Sequence, residues 1–151
     1  MVPAMSAAFD WGNYQTAFHE AAVAAGFSPT HLADVDTGPL TAWEKPGGER
    51  RVYLSAGIHG DEPAGPLALL ELLHEGFFSQ PAHWLLCPAL NPTGLAAFTR
   101  ENARGIDLNR DYWLRETPEV IAHTKWLDAR PTPDLFISLH EDWETTGFYF
   151  Y

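Results

Sequence analysis

The 151-residue sequence predicts an α/β fold, with a mixed and largely parallel sheet flanked by helices. Short apolar runs alternate with segments that carry apolar residues at helical spacing, which is typical of strands joined by helices. Polar clusters follow three of these runs, and functional groups of α/β folds gather at the carboxyl ends of their strands. No repeat, low-complexity tract or linker divides the chain, so we expect one domain over residues 1–151.

The first three predicted elements are a helix and two strands, and a strong turn signal separates the two strands. Residues 11–25 form a loose apolar stripe at helical spacing, and Gly26 ends the predicted helix. Residues 40–43 and 51–57 are predicted strands. The Lys-Pro-Gly-Gly segment at residues 45–48 lies between them, so we expect the pair to form a hairpin near the edge of the sheet.

A second helix and a second apolar run follow. Residues 64–73 supply an apolar helical face, with Asp61 as the expected N-cap and Gly76 beyond the end. Residues 83–90 form a short apolar run that predicts a buried strand. The Asn-Pro-Thr-Gly segment at residues 91–94 ends this strand.

The last third of the chain predicts a loop, a helix and two strands. Residues 99–111 are polar and contain a glycine, which indicates a loop. Residues 117–129 begin with Thr-Pro-Glu and predict a helix, which a pair of prolines ends. Residues 134–140 predict a second buried strand, and residues 147–151 predict the beginning of a further strand.

Composition argues against several classes of function. Asp and Glu outnumber Lys and Arg 20 to 9, and no basic cluster could neutralise a phosphate backbone, so nucleic-acid binding is disfavoured. No stretch approaches the ~20 apolar residues that span a bilayer. Residues 1–10 lack the features of a signal peptide, so we expect a cytoplasmic protein without membrane contact. Cys87 is the only cysteine, which excludes an intramolecular disulfide and a mainly cysteine metal site.

The first polar cluster is Gly-Ile-His-Gly-Asp-Glu at residues 57–62. His59 and Glu62 are three residues apart at a predicted strand-to-helix turn, where both can face one metal ion, and the glycines allow a tight turn. A surface turn with a helix N-cap is the simpler explanation of this pattern when it is taken alone.

The second polar cluster contains His140, which closes a run of buried character. A lone histidine at such a place is usually a core-edge residue that bonds to the backbone. The competing explanation is metal binding, because catalytic zinc takes three protein ligands and two histidines with one glutamate are a known set.

The third polar cluster is the run from Arg100 to Arg110, which includes Asp107 and Asn109 around a glycine. A solvated charged loop is the alternative. Arginine binds carboxylates through two parallel hydrogen bonds, and a developing oxyanion needs a positive donor beside a metal. The run therefore supplies the side chains that substrate binding at a metal would require.

Taken in order, these residues resemble the motifs of the zinc carboxypeptidases. The matching segments are residues 57–62, Asn-Pro-x-Gly at 91–94, Arg-x-Asn-x-x-Gly-x-Asp-Leu-Asn-Arg at 100–110, and Leu-His at 139–140. The bacterial branch with murein peptide amidases is the most similar, and it is related to the succinylglutamate desuccinylase and aspartoacylase group. The motifs cover over half of the chain, and their joint presence and order make the resemblance specific.

The resemblance implies a role for each matching position. Three positions match the ligands of one zinc ion, namely His59, Glu62 and His140. Arg100 matches the arginine that polarises the scissile carbonyl, and Asn109 and Arg110 match the pair that holds the terminal carboxylate of the substrate. Asp107 matches a carboxylate that orients the first histidine, as expected for metal-bound histidines, which donate their second ring N–H to an acceptor.

One feature of the family has no counterpart at the matching place. The resemblance implies a general-base glutamate on a strand well downstream of the third ligand, and neither Glu141 nor Glu144 matches that position. We therefore expect the sequence to be the N-terminal part of the family fold, truncated at its C-terminus. The open sheet edge that would result is expected to favour homo-oligomers.

The expected activity is zinc-dependent hydrolysis of an amide bond adjacent to a free carboxylate, with a small peptide as substrate. A deacylase of N-acyl amino acids that uses the same site is the first alternative. A zinc-binding but inactive fragment, or half of an assembled enzyme, is the second.

Overall fold

The computed structural model describes residues 9–142 and 144–150. Within these residues, one sheet of five strands carries helices on both faces. The helices are α1 (Trp11–Ala24), α2 (Ala64–His74), α3 (Pro92–Ala97), α4 (Leu108–Asp111) and α5 (Pro118–Asp128). The strands are β1 (Ser28–Val35), β2 (Gly38–Lys45), β3 (Arg51–Ser55), β4 (His83–Cys87) and β5 (Leu135–Ser138). None of the described helices combines the length and the apolar character that a membrane crossing requires.

The strand order in the sheet is β1-β2-β4-β3-β5. β1 pairs antiparallel with β2, and β2 pairs antiparallel with β4, whereas β4, β3 and β5 run parallel to one another. The predicted mixed α/β class with flanking helices is confirmed. The polar clusters follow strands in the parallel part of the sheet, which consists of β4, β3 and β5. Those clusters therefore meet at the carboxyl ends of these strands.

The predicted hairpin between residues 40–43 and 51–57 is wrong. β2 and β3 lie on opposite sides of β4, where Trp43 pairs with Leu86 and Tyr53 pairs with Leu85. β4 is buried along nearly its whole length, and such a strand takes a central place with a neighbour on each side. The hairpin partner of β2 is β1, which the sequence pattern did not predict because most of its side chains are exposed or half-buried.

Two apolar cores lie on opposite faces of the sheet, because successive strand residues point to opposite faces. Leu54 and Leu86 face the core under α1 and α2, whereas Tyr53 and Leu85 face the core under α4 and α5. The helix residues that fill these two cores include Tyr14, Phe18, Leu69 and Leu73 on the first face, and Leu108, Val120 and Trp126 on the second. Packing on both faces fixes the ends of β3 and β4, from which the functional turns emerge.

The predicted places of the helices are confirmed, whereas some of the predicted caps and loops are wrong. α1, α2 and α5 occupy the predicted places, but Pro63, not Asp61, stands at the N-cap of α2, and it offers no side-chain hydrogen bond. Part of the predicted loop at residues 99–111 is helical and forms α4. The Asn-Pro-Thr-Gly segment ends β4 as predicted and also begins α3, with Asn91 as its N-cap.

β5 is an edge strand, not the buried strand that residues 134–140 predicted. Among the described residues it pairs with β3 alone, and Leu135 and Phe136 are 50% and 56% exposed. Residues 147–150 form no strand, and Tyr151 lies outside the described residues. The homo-oligomer expected at an open sheet edge stays a prediction.

Candidate metal centre

The turn between β3 and α2 carries the first two residues of the site. The chain beyond β3 stays beside the end of β4, since Ala56 N–H donates to the Cys87 carbonyl at 3.1 Å and Asn91 N–H donates to the Gly57 carbonyl at 2.9 Å. Gly57 has a φ of 63°, a conformation that residues with a side chain rarely adopt. His59 follows at the carboxyl end of β3, with only 3% of its surface exposed.

Gly60 is required for contact and not for conformation. A Cβ atom at Gly60 would collide with the backbone of Gly94 and Leu95 in the first turn of α3. The turn after β3 and the turn after β4 therefore touch backbone to backbone. This contact holds the first polar cluster against the segment that follows β4.

His59, Glu62 and His140 converge on one point. The His59 ring contacts one carboxylate oxygen of Glu62, with 2.7 Å between Nδ1 and Oε1, and the His140 ring contacts the other, with 2.9 Å between Nδ1 and Oε2. One ligand atom from each of the three residues lies within 4.8 Å of the others. Glu62 is carried by the turn after β3 and His140 by the end of β5, so the parallel pairing of these strands brings the set together.

Asp107 and Arg100 lie beside this cluster. The second nitrogen of the His59 ring, Nε2, is 3.2 Å from Asp107 Oδ1. Arg100 Nε donates to the other oxygen of Asp107 at 3.2 Å, and its guanidinium is 3.7 Å from Glu62 Oε1. The family resemblance implied that Asp107 orients the first histidine, and this role stays a prediction.

The charges in the cluster determine its protonation. Burial alone would raise the pKa of Glu62, but hydrogen bonds from His140, His59 and the Glu141 N–H outweigh it and lower that pKa to about 2. Burial alone would lower the pKa of His59, but the hydrogen bond and charge of Glu62 outweigh it and raise that pKa. Glu62 is therefore a carboxylate across the physiological range, as a metal ligand must be.

The predicted substrate-binding pair stands on α4. Asn109 and Arg110 are exposed, and Asp107 caps this short helix by accepting from the Asn109 N–H at 2.9 Å. The last residue of α4, Asp111, is buried and accepts from the backbone N–H and the hydroxyl of Thr117 at the start of α5. α4 is thereby fixed to α5, and its exposed face adjoins Asp107.

Asn91 joins the first and the third polar clusters, a role that the sequence did not predict. Its buried side-chain amide donates to the carbonyls of Ile58 and Arg100 at 3.3 and 3.2 Å, and its side-chain oxygen accepts from Gly94 N–H at 2.9 Å. The available signal was its place in the Asn-Pro-x-Gly segment, which was interpreted as the end of a strand and as a segment that matches the family, with no role assigned to Asn91.

Glu141 is a second missed residue. Its backbone N–H donates to Glu62 Oε2, and its side chain accepts from the Ala64 N–H, each at 3.1 Å. No local signal could have identified these contacts, because they join residues 77 and 79 positions apart.

A model of the succinylglutamate desuccinylase/aspartoacylase catalytic domain matches residues 48–140, which is more than half of the chain. The chain belongs to this family. The match includes the three converging residues, and the predicted relationship to the zinc carboxypeptidase superfamily is confirmed.

Relatives of this family member are carboxypeptidases and metallopeptidases. Carboxypeptidase 2 of Trichophyton tonsurans is 34% identical over 109 residues, which cover 65% of this chain and 20% of that protein. A protein of Shewanella denitrificans, provisionally classed as a metallopeptidase, is 25% identical with a TM-score of 0.78 over 89% of this chain and 53% of its own. The metallo-carboxypeptidase of Burkholderia cenocepacia, at 22% identity, shares the fold with a TM-score of 0.72 over 85% of this chain and 40% of its own.

The chain thus spans about a fifth of the fungal relative and about half of the Shewanella protein. Its family and its relatives are hydrolases of the metallocarboxypeptidase and acyl-amino-acid deacylase kind. A metal is typical of these relatives, and the His59, Glu62 and His140 cluster is the candidate place for it among the described residues.

Proposed function

We propose that the chain is a zinc-dependent hydrolase that cleaves an amide bond adjacent to a free carboxylate. One observation carries this proposal: two imidazole nitrogens and one carboxylate, from His59, His140 and Glu62, lie within 4.8 Å of one another beyond the carboxyl ends of the parallel strands β3 and β5. We also propose that residues 1–151 form one domain around this site.

The donor set fits zinc. Catalytic zinc sites take three protein ligands of the nitrogen and oxygen type and keep one position open. The Asp107 carboxylate against the second nitrogen of His59 adds the partner that orients metal-bound histidines. Zinc at such a place supplies Lewis acidity and an activated water for hydrolysis.

The neighbouring residues would provide the remaining parts of the reaction. Arg100, half-exposed beside Glu62 and Asp107, would stabilise the negative charge that develops on the scissile carbonyl oxygen. Asn109 and Arg110, exposed on α4, would hold the terminal carboxylate of the substrate. Glu144 is an exposed candidate for the proton-transfer group.

Deacylation of an N-acyl amino acid is the second candidate, favoured by the match to the succinylglutamate desuccinylase/aspartoacylase catalytic domain. Both reactions cleave an amide beside a carboxylate, so the same site would serve either. The carboxypeptidase relatives favour the peptide substrate.

A hydrolysis assay separates these candidates. The zinc-loaded chain, in molar excess over substrate, is incubated with a short peptide that has a free C-terminus, the same peptide as its C-terminal amide, and an N-acyl amino acid. Release of the last residue from the free peptide, with the amide form resistant, supports the carboxypeptidase proposal. Cleavage of the acyl amino acid alone supports the deacylase.

The same assay can overturn the proposal. No cleavage of either substrate by protein that holds zinc would identify a metal-binding chain without this activity. If cleavage occurs, Glu144→Gln tests the proton-transfer group, since removal of a general base slows a reaction by ~10²–10⁴-fold.

A further inference from the structure

We propose that Glu141 is a positioning residue that clamps the turn containing Glu62 against the end of β5 and so sets the spacing between Glu62 and His140. This inference rests on the proposed zinc site, because its consequence is a metal affinity. The clamp itself concerns hydrogen bonds between parts of this chain.

Glu141 binds the turn before α2 at two points. Its backbone N–H donates to Glu62 Oε2 at 3.1 Å. Its side-chain oxygen Oε2 accepts from the backbone N–H of Ala64, also at 3.1 Å. Because Glu141 directly follows His140, one residue ties the third candidate ligand to the segment that carries the second.

The beginning of α2 lacks a capping group of its own. Pro63 occupies the N-cap position and provides no side-chain acceptor, and the third helical residue, Pro66, has no N–H. The Ala64 N–H is one of the first-turn donors that an α-helix cannot satisfy internally. The Glu141 carboxylate supplies the missing acceptor, and its negative charge is favourable at a helix N-terminus.

Close packing at Gly65 is an independent sign that these two segments are held together. A Cβ atom at Gly65 would lie 3.1 Å from the Cβ of Ala56 and 3.2 Å from the Cβ of Leu139. The first turn of α2 therefore packs directly on the residue before His140, with no room for a side chain between them. The hydrogen bond of the Glu141 carboxylate and the packing at Gly65 therefore hold the same junction, between the beginning of α2 and the end of β5.

Loss of the clamp should loosen the junction without removing any candidate ligand. Glu62 and His140 would keep their side chains, but the turn and the end of β5 could move relative to each other. We expect zinc affinity to fall about tenfold, the lower end of the effect of losing an outer partner of a metal site.

The test compares Glu141→Ala, which removes the acceptor, with Glu141→Gln, which keeps a side-chain oxygen for the Ala64 N–H. Glu71→Ala is the matched control, because it removes one exposed carboxylate from α2, away from the N-terminus of that helix. Zinc affinity is measured in the full chain by competition with a chromophoric chelator. Hydrogen exchange of the Ala64 amide is measured by NMR in zinc-free protein, and thermal unfolding verifies that each variant is folded.

We expect about tenfold weaker zinc binding in Glu141→Ala, with most of the affinity retained in Glu141→Gln and all of it in Glu71→Ala. Exchange of the Ala64 amide should rise about fivefold in Glu141→Ala alone, as loss of a helix cap predicts. If Glu141→Ala does not fold, Glu141→Asp, one methylene shorter, replaces it.

Three outcomes distinguish the failure of this inference from the failure of the proposed function. Unchanged zinc affinity in folded Glu141→Ala, beside a parent that binds zinc, overturns the positioning role and leaves the proposed function standing. A parent that binds no zinc overturns the proposed function and the positioning role together. Unchanged Ala64 exchange overturns the clamp whatever zinc does.

Discussion

Two histidines in this protein expose almost equally little surface, yet their surroundings give them opposite properties. His59 is 3% exposed and His123 is 2% exposed. His59 lies between the carboxylates of Glu62 and Asp107, and its pKa is raised. Burial lowers the pKa of His123 to about 4, and its ring lies between two tyrosine hydroxyls, each 2.6 Å away.

The comparison shows that a small exposed surface alone does not separate a candidate ligand from a core histidine, whereas the charge of the partners does. A neutral imidazole has one donor and one acceptor, and the hydroxyls of Tyr53 and Tyr112 satisfy both in the interior. At His59 two carboxylates gather negative charge that a cation can neutralise. Four predictions test this difference.

The largest expected effect on folding is at the core histidine. His123→Ala should lower the free energy of unfolding by about 3–5 kcal/mol, because it leaves a cavity and removes the imidazole partner of two tyrosine hydroxyls. Zinc affinity of the folded fraction should not change. Chemical denaturation and zinc competition check the two halves. A variant that loses zinc without losing stability would place His123 in the site and break the comparison.

The two histidines should respond oppositely to acid in zinc-free protein. The unfolded chain protonates His123 near pH 6.5 and the folded chain only near pH 4, so stability is lost as pH falls through this window, by about 3 kcal/mol. The pKa of His59 is raised, so its contribution is fully present below the ordinary pKa and is lost as pH rises through the folded value.

Denaturation between pH 4 and 8 of the parent, His123→Gln and His59→Gln measures these contributions. Relative to the parent, His123→Gln should lose less stability in acid and His59→Gln should lose more. Three parallel curves would show that neither histidine has a shifted pKa.

A smaller effect is expected at Asp107. Asp107→Ala should weaken zinc binding by ~10–100-fold, as removal of an outer partner of a metal-bound histidine does. Asp107 also caps α4, so a loss of ~1 kcal/mol in stability should accompany the change. Asp34→Ala, which removes an exposed carboxylate paired with His31, is the control. Unchanged zinc affinity in Asp107→Ala would make Asp107 an ordinary helix cap.

The sequence predicted the parts of the site that depend on local order. His59 and His140 each follow a predicted strand, and functional groups of α/β folds gather at the carboxyl ends of their strands. That β3 and β5 are parallel neighbours is known only from the structure. The place of β4 between β2 and β3 was not predictable in the same way, because the glycine-rich turn at residues 45–48 favours a hairpin locally. Burial of both faces of β4 overrides that local preference.

Contacts between segments that are distant in the sequence could not be predicted from local sequence patterns. Nothing near Glu141 indicates that it caps a helix 77 residues away. The partners of His123 were not predictable either. A histidine at this position of α5 can equally contact solvent, a carboxylate or a tyrosine. The edge position of β5 escaped prediction because its apolar run is typical of a buried strand, while the structure leaves Leu135 and Phe136 half-exposed.

The most direct test of the account is a zinc titration of four chains: the parent, His59→Ala, His140→Ala and His123→Gln. The parent should bind one zinc ion in a three-ligand site, and His123→Gln should bind it with the same affinity. His59→Ala and His140→Ala should lose most of the affinity while staying folded. Equal zinc content in both alanine variants and the parent would contradict the assignment of His59 and His140 as ligands.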